Sequence, residues 1–164
     1  MRKTVFFGVL CMIMLNIQAC KVTDKKKTNR QFTKGNDPAK ELYLYSIEAF
    51  NQGNLELFLA NFSQEIKMYG TDGTYFGHDA LRERFEDVFK RFPNMKMEIP
   101  ELKSEILSKD VIMVNFKWKL YPMGQGPAYS GIGSGIYKYE NAEWTEVLEV
   151  ETITNVDEAL KQPK

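Results

Sequence analysis

Residues 112–120 read IMVNFKWKL, and this stretch contains the clearest pattern in the chain. Apolar side chains occupy every second position, whereas Asn115, Lys117 and Lys119 lie between them. A period of two is that of a β-strand with one buried face. The apolar set comprises Ile112, Val114, Phe116, Trp118 and Leu120. The stretch therefore predicts a strand that presents this set to a core.

More strands are expected before it. Residues 65–69 alternate like a strand, and Thr71-Asp72-Gly73-Thr74 is a strong hairpin signal because Asp-Gly tolerates positive φ. The apolar residues between Met95 and Leu107 fit two strand-like pieces broken at Pro100, or one kinked strand.

Two further strands follow it. Tyr129 to Tyr139 carries three glycines on one face, which favours strong curvature or close approach of another backbone. The glycines are Gly131, Gly133 and Gly135. A turn is expected at 140–143, and residues 144–153 then close the sheet.

Three helices are predicted upstream of the long strands. Asp37-Pro38 offers an N-cap followed by proline at the first helical position, and Gly53 supplies a stop. Asn54 can cap a shorter second helix over residues 55–61. A third helix is indicated by apolar residues at helical spacing, namely Leu81, Phe85, Val88, Phe89 and Phe92.

This order of elements predicts the fold class. Helix, helix, hairpin, helix and a meander of long strands describe an α+β domain, in which three helices lie on the concave face of a curved antiparallel sheet. Because three helices cannot fill the concavity of a bent sheet completely, we expect a pocket near its middle.

The first 19 residues have the pattern of an export signal. Arg2 and Lys3 precede an apolar run from Val5 to Leu15. A spanning helix needs about 20 apolar residues, and Asn16 and Gln18 interrupt this run. A permanent transmembrane anchor is therefore not expected.

Ile17-Gln18-Ala19-Cys20 follows the apolar run and resembles a bacterial lipobox. The resemblance implies cleavage between Ala19 and Cys20 and attachment of lipid to the Cys20 thiol, which would anchor the protein to a membrane of the cell envelope. The alternative is a plain secretory signal in which Cys20 is incidental. Either interpretation places the folded part in the periplasm or at the cell surface.

Residues 20–36 are predicted to be a flexible tether, with six basic residues against one acid, Asp24. The other cysteine, Cys11, lies in the segment that cleavage removes, so the mature chain cannot form an internal disulfide. Thiol catalysis and thiolate metal sites are not expected. The sequence predicts no metal site and no cofactor.

The remaining chain is acidic. From Asp37 onward it has 14 Lys and Arg against 21 Asp and Glu, a formal charge of −7. Nucleic-acid affinity rests largely on cationic contacts with phosphates, so no nucleic-acid partner is expected. A chain of 43% hydrophobic and 27% charged residues fits one globular domain. We place this domain at 37–155 and a polar tail at 156–164.

Residues 47–54 (IEAFNQGN) and 77–82 (GHDALR) resemble a known family in their order and spacing. They are similar to the SnoaL-like branch of the nuclear-transport-factor-2-like superfamily, and the resemblance covers roughly residues 40–153. It implies a cone-shaped fold that ketosteroid isomerases, polyketide cyclases, epoxide hydrolases and many non-catalytic binders share. It also implies a homodimer paired through the sheet.

The isomerase activity does not follow from this resemblance. In that branch a carboxylate on the first strand removes a proton, and a tyrosine on helix one with a protonated acid stabilises the enolate. Here the matching strand reads Lys67-Met68-Tyr69-Gly70 and holds no acid. The helix position falls near Ser46, with Tyr45 adjacent. The isomerase mechanism is therefore not expected.

Four aromatic residues are candidates for a pocket. Phe116 and Trp118 share the concave strand face, where they either fill the core or line a pocket. Tyr69 ends the first strand near the expected pocket mouth, and Tyr45 lies on helix one. Both tyrosines could instead be core aromatics whose hydroxyl groups are hydrogen-bonded.

Two side chains are acid–base candidates, and neither signal is specific. His78 is the only histidine, and its place at a helix start also fits a capping or surface role. Glu146 is the carboxylate on the last strand that is predicted to point inward, unless its place near the strand's start lets it reach water.

The other two acids of the last strand are assigned to the opposite side of the sheet. A strict period of two places Glu149 and Glu151 on the outer face, in a charge lattice with Lys117 and Lys119. This lattice would be solvated or would form a dimer contact.

We expect a lipid-anchored domain that binds a small, largely apolar molecule without turning it over. One alternative is an isomerase, cyclase or hydrolase that uses Glu146 or His78 as base and Tyr45 or Tyr69 as donor. Another is a structural or partner-binding domain. An inward acid–base group near a tyrosine and a cavity would favour the enzyme, a cavity without titratable groups the binder, and a filled cone the partner-binding domain.

Overall fold

The computed structural model describes residues 37–126 and 128–157. The predicted signal peptide, the cleavage site at Ala19 and Cys20, and the basic tether lie outside these residues. In the part of the chain that is described, no helix combines the length and the apolar character needed to cross a membrane.

Three helices and six strands follow one another along the chain in the predicted order. The helices are α1 (Pro38–Asn51), α2 (Leu55–Leu59) and α3 (His78–Arg91). The strands are β1 (Phe62–Gly70), β2 (Gly73–Phe76), β3 (Lys96–Ser108), β4 (Val111–Tyr121), β5 (Tyr129–Glu140) and β6 (Glu143–Val156).

The first two helices begin at the predicted caps. The Asp37 side chain accepts a hydrogen bond from the Lys40 N–H, and Pro38 occupies the first turn. The Asn54 side chain likewise accepts from the Leu57 N–H. Each cap satisfies one of the N–H groups that a helix leaves unpaired at its start. Helix α2 ends two residues earlier than predicted.

All six strands form one sheet in the order β2-β1-β6-β5-β4-β3. Neighbouring strands are antiparallel except β1 and β6, which run parallel. The predicted antiparallel sheet is therefore right for four of the five pairs. The exception joins strands that no hairpin connects, so their relative direction is not fixed by a turn.

The region around Pro100 forms one strand with an irregularity rather than two strands. Strand β3 pairs with β4 on both sides of Pro100, and the register shifts between Glu98 and Glu101. Proline has no N–H to donate to the ladder, which explains why the pairing is interrupted there.

The alternation in β4 is confirmed. Four of the five predicted inward side chains are 5% exposed or less, namely Ile112, Val114, Phe116 and Trp118, and the fifth, Leu120, is half-buried. Helix α1 covers part of this face, where the ring of Tyr43 lies 4.5 Å from that of Phe116. The concave face of the sheet therefore carries the core.

An aromatic cluster joins the three helices to one another. Phe58 of α2 lies 5.5 Å from Phe50 of α1 and 4.6 Å from Phe85 of α3, measured between ring centroids. Phe89 packs 5.2 Å from Phe50. This cluster covers one part of the sheet and leaves a space between the helices and the final strand.

The predicted outer position of Glu149 and Glu151 is wrong. Tyr137 pairs with Glu146, whereas Ile136 pairs with Leu148, so one extra residue bulges from β6 at this point. A bulge places two residues opposite one and shifts the alternation that follows it. Both glutamates consequently face the concave side.

The predicted lattice of Lys117 and Lys119 with these two glutamates is wrong for the same reason. On the outer face the Lys117 ammonium lies 2.7 Å from a carboxylate oxygen of Glu101 instead. Lys119 is exposed and pairs in register with Glu98.

Candidate functional site

The space between the helices and the sheet is a cavity of about 400 Å³. This volume lies within the range of roughly 300–1,000 Å³ that small-molecule sites occupy. Most of its wall is apolar and aromatic, including Phe50, Phe85, Val88, Phe92, Met97 and Leu120. The polar part of the wall contains Tyr43, Ser46, Trp118, Glu146, Glu149 and Glu151.

The four predicted pocket aromatics have different positions. Trp118 lines the cavity. Phe116 is buried against Tyr43 beside it. Tyr69 does not line the cavity: it is 41% exposed and packs its ring edge-on to Phe76.

Tyr45, the fourth, is half-buried on α1. Its helix neighbours Tyr43 and Ser46 are the α1 residues that line the cavity with a polar group. Successive helical residues are turned by about 100° from one another, so Tyr45 presents a different face. Tyr43 has the helical spacing of Ile47 and Phe50, so the sequence pattern favours a core role for it over a polar one.

His78 is not among the residues that line the cavity. It is the first residue of α3, and its ring Nε2 lies 3.1 Å from the carbonyl oxygen of Leu59. This contact joins the start of α3 to the end of α2. The described geometry therefore gives His78 a structural contact, and its predicted acid–base role stays a prediction.

Glu146 is buried at the cavity wall with 1% of its surface exposed. The Tyr137 hydroxyl donates a hydrogen bond of 2.8 Å to its Oε2. Its backbone N–H is held by the carbonyl of Asn61 at 2.9 Å. Its Oε1 accepts a hydrogen bond from no N–H or O–H donor among the described residues.

Glu149, which is 7% exposed, lies within hydrogen-bonding reach of Glu146. Two ionised carboxylates can only repel each other, whereas one protonated carboxyl can donate to the other. A proton on Glu149 therefore supplies the missing donor for Glu146. The two carboxyls are therefore placed so that one proton can form a hydrogen bond between them.

Burial and mutual repulsion keep these acids protonated at higher pH than usual. Burial raises the pKa of Glu146 from 4.5 to about 8, although hydrogen bonds from Tyr137 and Glu149 favour its ionised form. Burial and then the Glu146 charge raise the pKa of Glu149 well above its ordinary value. Burial also raises the pKa of Glu151, against the opposing charge of Arg84.

The two tyrosines beside the carboxyls remain neutral donors. Burial and the charges of the glutamates raise the pKa of both Tyr43 and Tyr137 well above 10. Tyr137 is fully buried and orients Glu146, whereas Tyr43 lines the cavity itself.

The cavity wall also holds Arg84, which the sequence pattern did not single out. Its guanidinium makes two hydrogen bonds to Asp72, at 2.7 and 3.3 Å, and stacks over the rings of Tyr75 and Phe85. Asp72 also lines the cavity. Arg84 is thus neutralised by its own carboxylate.

The predicted glycine stripe on β5 makes room for side chains. A Cβ atom at Gly131, Gly133 or Gly135 would overlap Trp118, Phe116 or Glu146 respectively. Backbone oxygens of β6 also crowd the first two positions. The stripe indicated close approach, and the groups that approach are chiefly side chains from the two neighbouring strands.

The acids do not form a metal site. Within residues 37–126 and 128–157, no group of three or more His, Cys, Asp or Glu side chains has the arrangement to hold a metal ion. What the wall can do chemically is accept and release protons in an apolar enclosure.

Comparisons with known proteins identify a family and agree with the fold described above. The family model described as SnoaL-like domain matches residues 44–147. A comparison with curated proteins gives no match. Many solved structures share the fold.

Three of these structures illustrate the fold likeness. A protein with a cystatin-like fold from Caulobacter vibrioides is 17% identical, with a TM-score of 0.66 over 80% of this chain and 97% of that one. A second, from Nostoc punctiforme, is 17% identical, with a TM-score of 0.64 over 76% and 92%. An NTF2-like protein from Pseudomonas putida is 13% identical, with a TM-score of 0.65 over 75% and 89%.

Proposed function

The chain belongs to the SnoaL-like domain family, and we propose that its cavity binds a small, largely apolar molecule and carries out acid–base chemistry on it. The fold of this family suggests small-molecule binding or isomerase-type function. The step beyond that statement is the choice of catalysis over binding alone, and of Glu146 as the base.

One observation supports the catalytic alternative over simple binding. Glu146 is buried at the wall of a cavity and 2.8 Å from a tyrosine hydroxyl, which is the arrangement expected of an enzyme rather than of a passive binder. Raised pKa values in a cleft are characteristic of catalytic acids and bases. A pKa of about 8 lets Glu146 exchange its proton near neutral pH.

The chain's own residues divide the work as follows. Ionised Glu146 accepts a proton from the bound molecule, and Tyr137 holds the carboxylate in place. Glu149 and Tyr43 can donate hydrogen bonds to charge that develops on the molecule. The aromatic wall excludes water, which strengthens each of these interactions.

This arrangement differs from the isomerase pattern. The inward positions of β1 are Ile66 and Met68, both buried and apolar. The carboxyls come instead from the last strand of the sheet. We therefore expect the proton of the bound molecule to be removed from the side of β6, and not from the side of β1 as in the isomerases.

A neutral aromatic probe tests for the buried base. When a base removes the C3 proton of 5-nitro-1,2-benzisoxazole, the ring N–O bond breaks and a coloured phenolate with a nitrile group forms. We expect the protein to accelerate this reaction, with a rate that rises with pH and levels above about 8 as Glu146 loses its proton.

Two variants decide whether Glu146 is the base. E146Q should lower the rate roughly a hundredfold, whereas E105Q, which changes an exposed glutamate on β3, should leave it unchanged. Equal rates for E146Q and the unaltered protein across this pH range would contradict the proposal.

A homodimer through the sheet is proposed as well. The outer face carries exposed apolar side chains, with Phe76 at 58%, Ile132 at 48%, Tyr69 at 41% and Val150 at 40%. A second copy of the chain would cover this face, since an apolar patch rimmed by polar groups is typical of an interface. This pairing leaves the cavity on the opposite side of the sheet.

Attachment to the cell envelope remains a proposal from the sequence. The lipobox-like tetrapeptide that ends at Cys20 supports it, and the basic tether would lie against anionic lipid. The cavity would then act on molecules in the periplasm or at the cell surface.

A further inference from the structure

Three acids of β6 have no cation beside them. Glu146, Glu149 and Glu151 all line the cavity, and none of them lies within 4 Å of a Lys, Arg or His nitrogen in the part of the chain that the structure describes. Buried carboxyls are normally paired. When these carboxyls ionise, their charge is therefore left for something else to balance.

The cations of the cavity wall are already committed. Arg84 is held by Asp72 at 2.7 Å, and Arg91 by Asp87 at 2.5 Å. Arg84 attracts Glu149 and Glu151 only from a distance, which lowers their pKa values without an ion pair. Neither arginine can turn to the glutamates without giving up its own partner.

The second observation is an unsatisfied hydrogen-bond acceptor in the described part of the chain, Oε1 of Glu146. This oxygen has no hydrogen-bond donor within residues 37–126 and 128–157, although only 1% of Glu146 is exposed and it lines the cavity. A proton shared with Glu149 can satisfy it when the cavity is empty. A ligand that carries N–H donors and a positive charge would satisfy it better, because charge-assisted hydrogen bonds are the strong ones.

The rest of the wall defines the remainder of such a ligand. The three acids are not arranged to hold a metal ion, and the space beside them is enclosed by aliphatic and aromatic side chains. The rings of Tyr43 and Trp118 border the same space, and aromatic faces attract organic cations. The cavity therefore suits a cation with an apolar body.

We propose that the ligand of this cavity is a small apolar amine, bound as its ammonium ion by the carboxyls of Glu146, Glu149 and Glu151. This inference rests on the proposed function and names the substrate class. Binding displaces the shared proton, so it leaves Glu146 as the carboxylate that proton abstraction needs. The ligand thus generates its own base.

Apart from the three glutamates, the charged residues that line the cavity in the described part of the chain are Asp72, Arg84 and Arg91, and each is held in an ion pair. Tyr43 of α1 and Tyr137 of β5 stay neutral, and Arg84 of α3 is balanced by Asp72 of the β1–β2 turn. The groups left to exchange protons on binding are the three glutamates of β6.

Three probes of similar shape test the inference in the intact chain. Benzylamine, benzyl alcohol and benzoate are titrated while the indole N–H signal of Trp118 is followed by NMR. We expect benzylamine to bind about tenfold or more tightly than the alcohol, and benzoate most weakly. The affinity of benzylamine should increase between about pH 6 and 8, because its ammonium group stays protonated while the glutamates ionise.

Proton release gives a second readout. Calorimetry in two buffers with different ionisation heats should show that benzylamine binding releases protons. E149Q should reduce both the release and the preference for the amine, whereas E105Q should change neither. An alcohol or benzoate that binds as tightly as the amine, proton uptake, or equal behaviour of E149Q and E105Q would overturn the inference.

The outcome separates this inference from the function on which it rests. If the benzisoxazole reaction depends on Glu146 but the amine has no advantage, only the amine inference fails. If no probe shifts the Trp118 signal and no Glu146-dependent rate exists, the proposed function fails and this inference fails with it.

Discussion

Raising the pH is expected to destabilise this fold, because it forces a charge onto a buried carboxyl group. Glu146 has a pKa of about 8 in the folded chain and 4.5 when it is exposed. Between these two values the folded state binds more protons than the unfolded state does. The free energy of unfolding therefore falls as the pH rises through this window, and it levels off above it.

The size of the effect follows from the two pKa values. The difference between 4.5 and about 8 corresponds to roughly 5 kcal/mol. Typical domains are stable by only 5–15 kcal/mol, so this loss is a large share of the total. Glu149 and Glu151 act in the same direction, since burial raises their pKa values too.

Urea unfolding at a series of pH values from about 5 to 9 measures the effect. The matched variant is E146Q, whose amide keeps the size of the side chain and can still accept from Tyr137. Because glutamine does not titrate, the variant should lose a smaller part of its stability over the same range. Relative to the unaltered protein, it should gain stability as the pH rises.

Two results would be incompatible with a buried, protonated Glu146. One is an unfolding free energy that stays constant or rises between about pH 5 and 8. The other is an E146Q variant whose pH dependence is the same as that of the unaltered protein. Either would mean that Glu146 reaches water in the folded chain.

Three further predictions concern space, assembly and location. G135A should destabilise the fold by about 1–3 kcal/mol, because the alanine Cβ would overlap Oε1 of Glu146. Urea unfolding should show a smaller loss of stability when the same substitution is made in an E146A background, and an equal loss would rule out this overlap as the cause. I132E should convert a dimer into a monomer by light scattering, since it places a charge in the outer apolar face; a mass that is monomeric without the substitution would count against the dimer. C20A should abolish labelling by a palmitate analogue and release the chain from membranes, and continued labelling would exclude Cys20 as the lipid site.

Much of the fold could be predicted because its signals are local. The alternation of β4 and the caps at Asp37 and Asn54 each depend on a few neighbouring residues. The parallel pairing of β1 with β6 could not be predicted in this way. It depends on contacts between strands that lie far apart in the chain.

The site was harder to predict because a single irregularity decides it. Glu146 and Glu149 are three residues apart, so a regular strand would place them on opposite faces. The bulge between them brings both inward, and the residues at the bulge, Val147 and Leu148, carry no glycine or other special signal for it. The acidic wall therefore became visible only in the structure.

Both the proposed chemistry and the pH dependence require Glu146 to hold a proton near neutral pH at the cavity wall. The most direct measurement is an NMR titration of its side-chain carboxyl carbon in ¹³C-labelled protein, assigned by comparison with E146Q. We predict a midpoint near 8, well separated from the exposed glutamates. If Glu146 instead titrated near 4.5, at the same pH as the exposed glutamates, it would not be protonated near neutral pH and the prediction would be wrong.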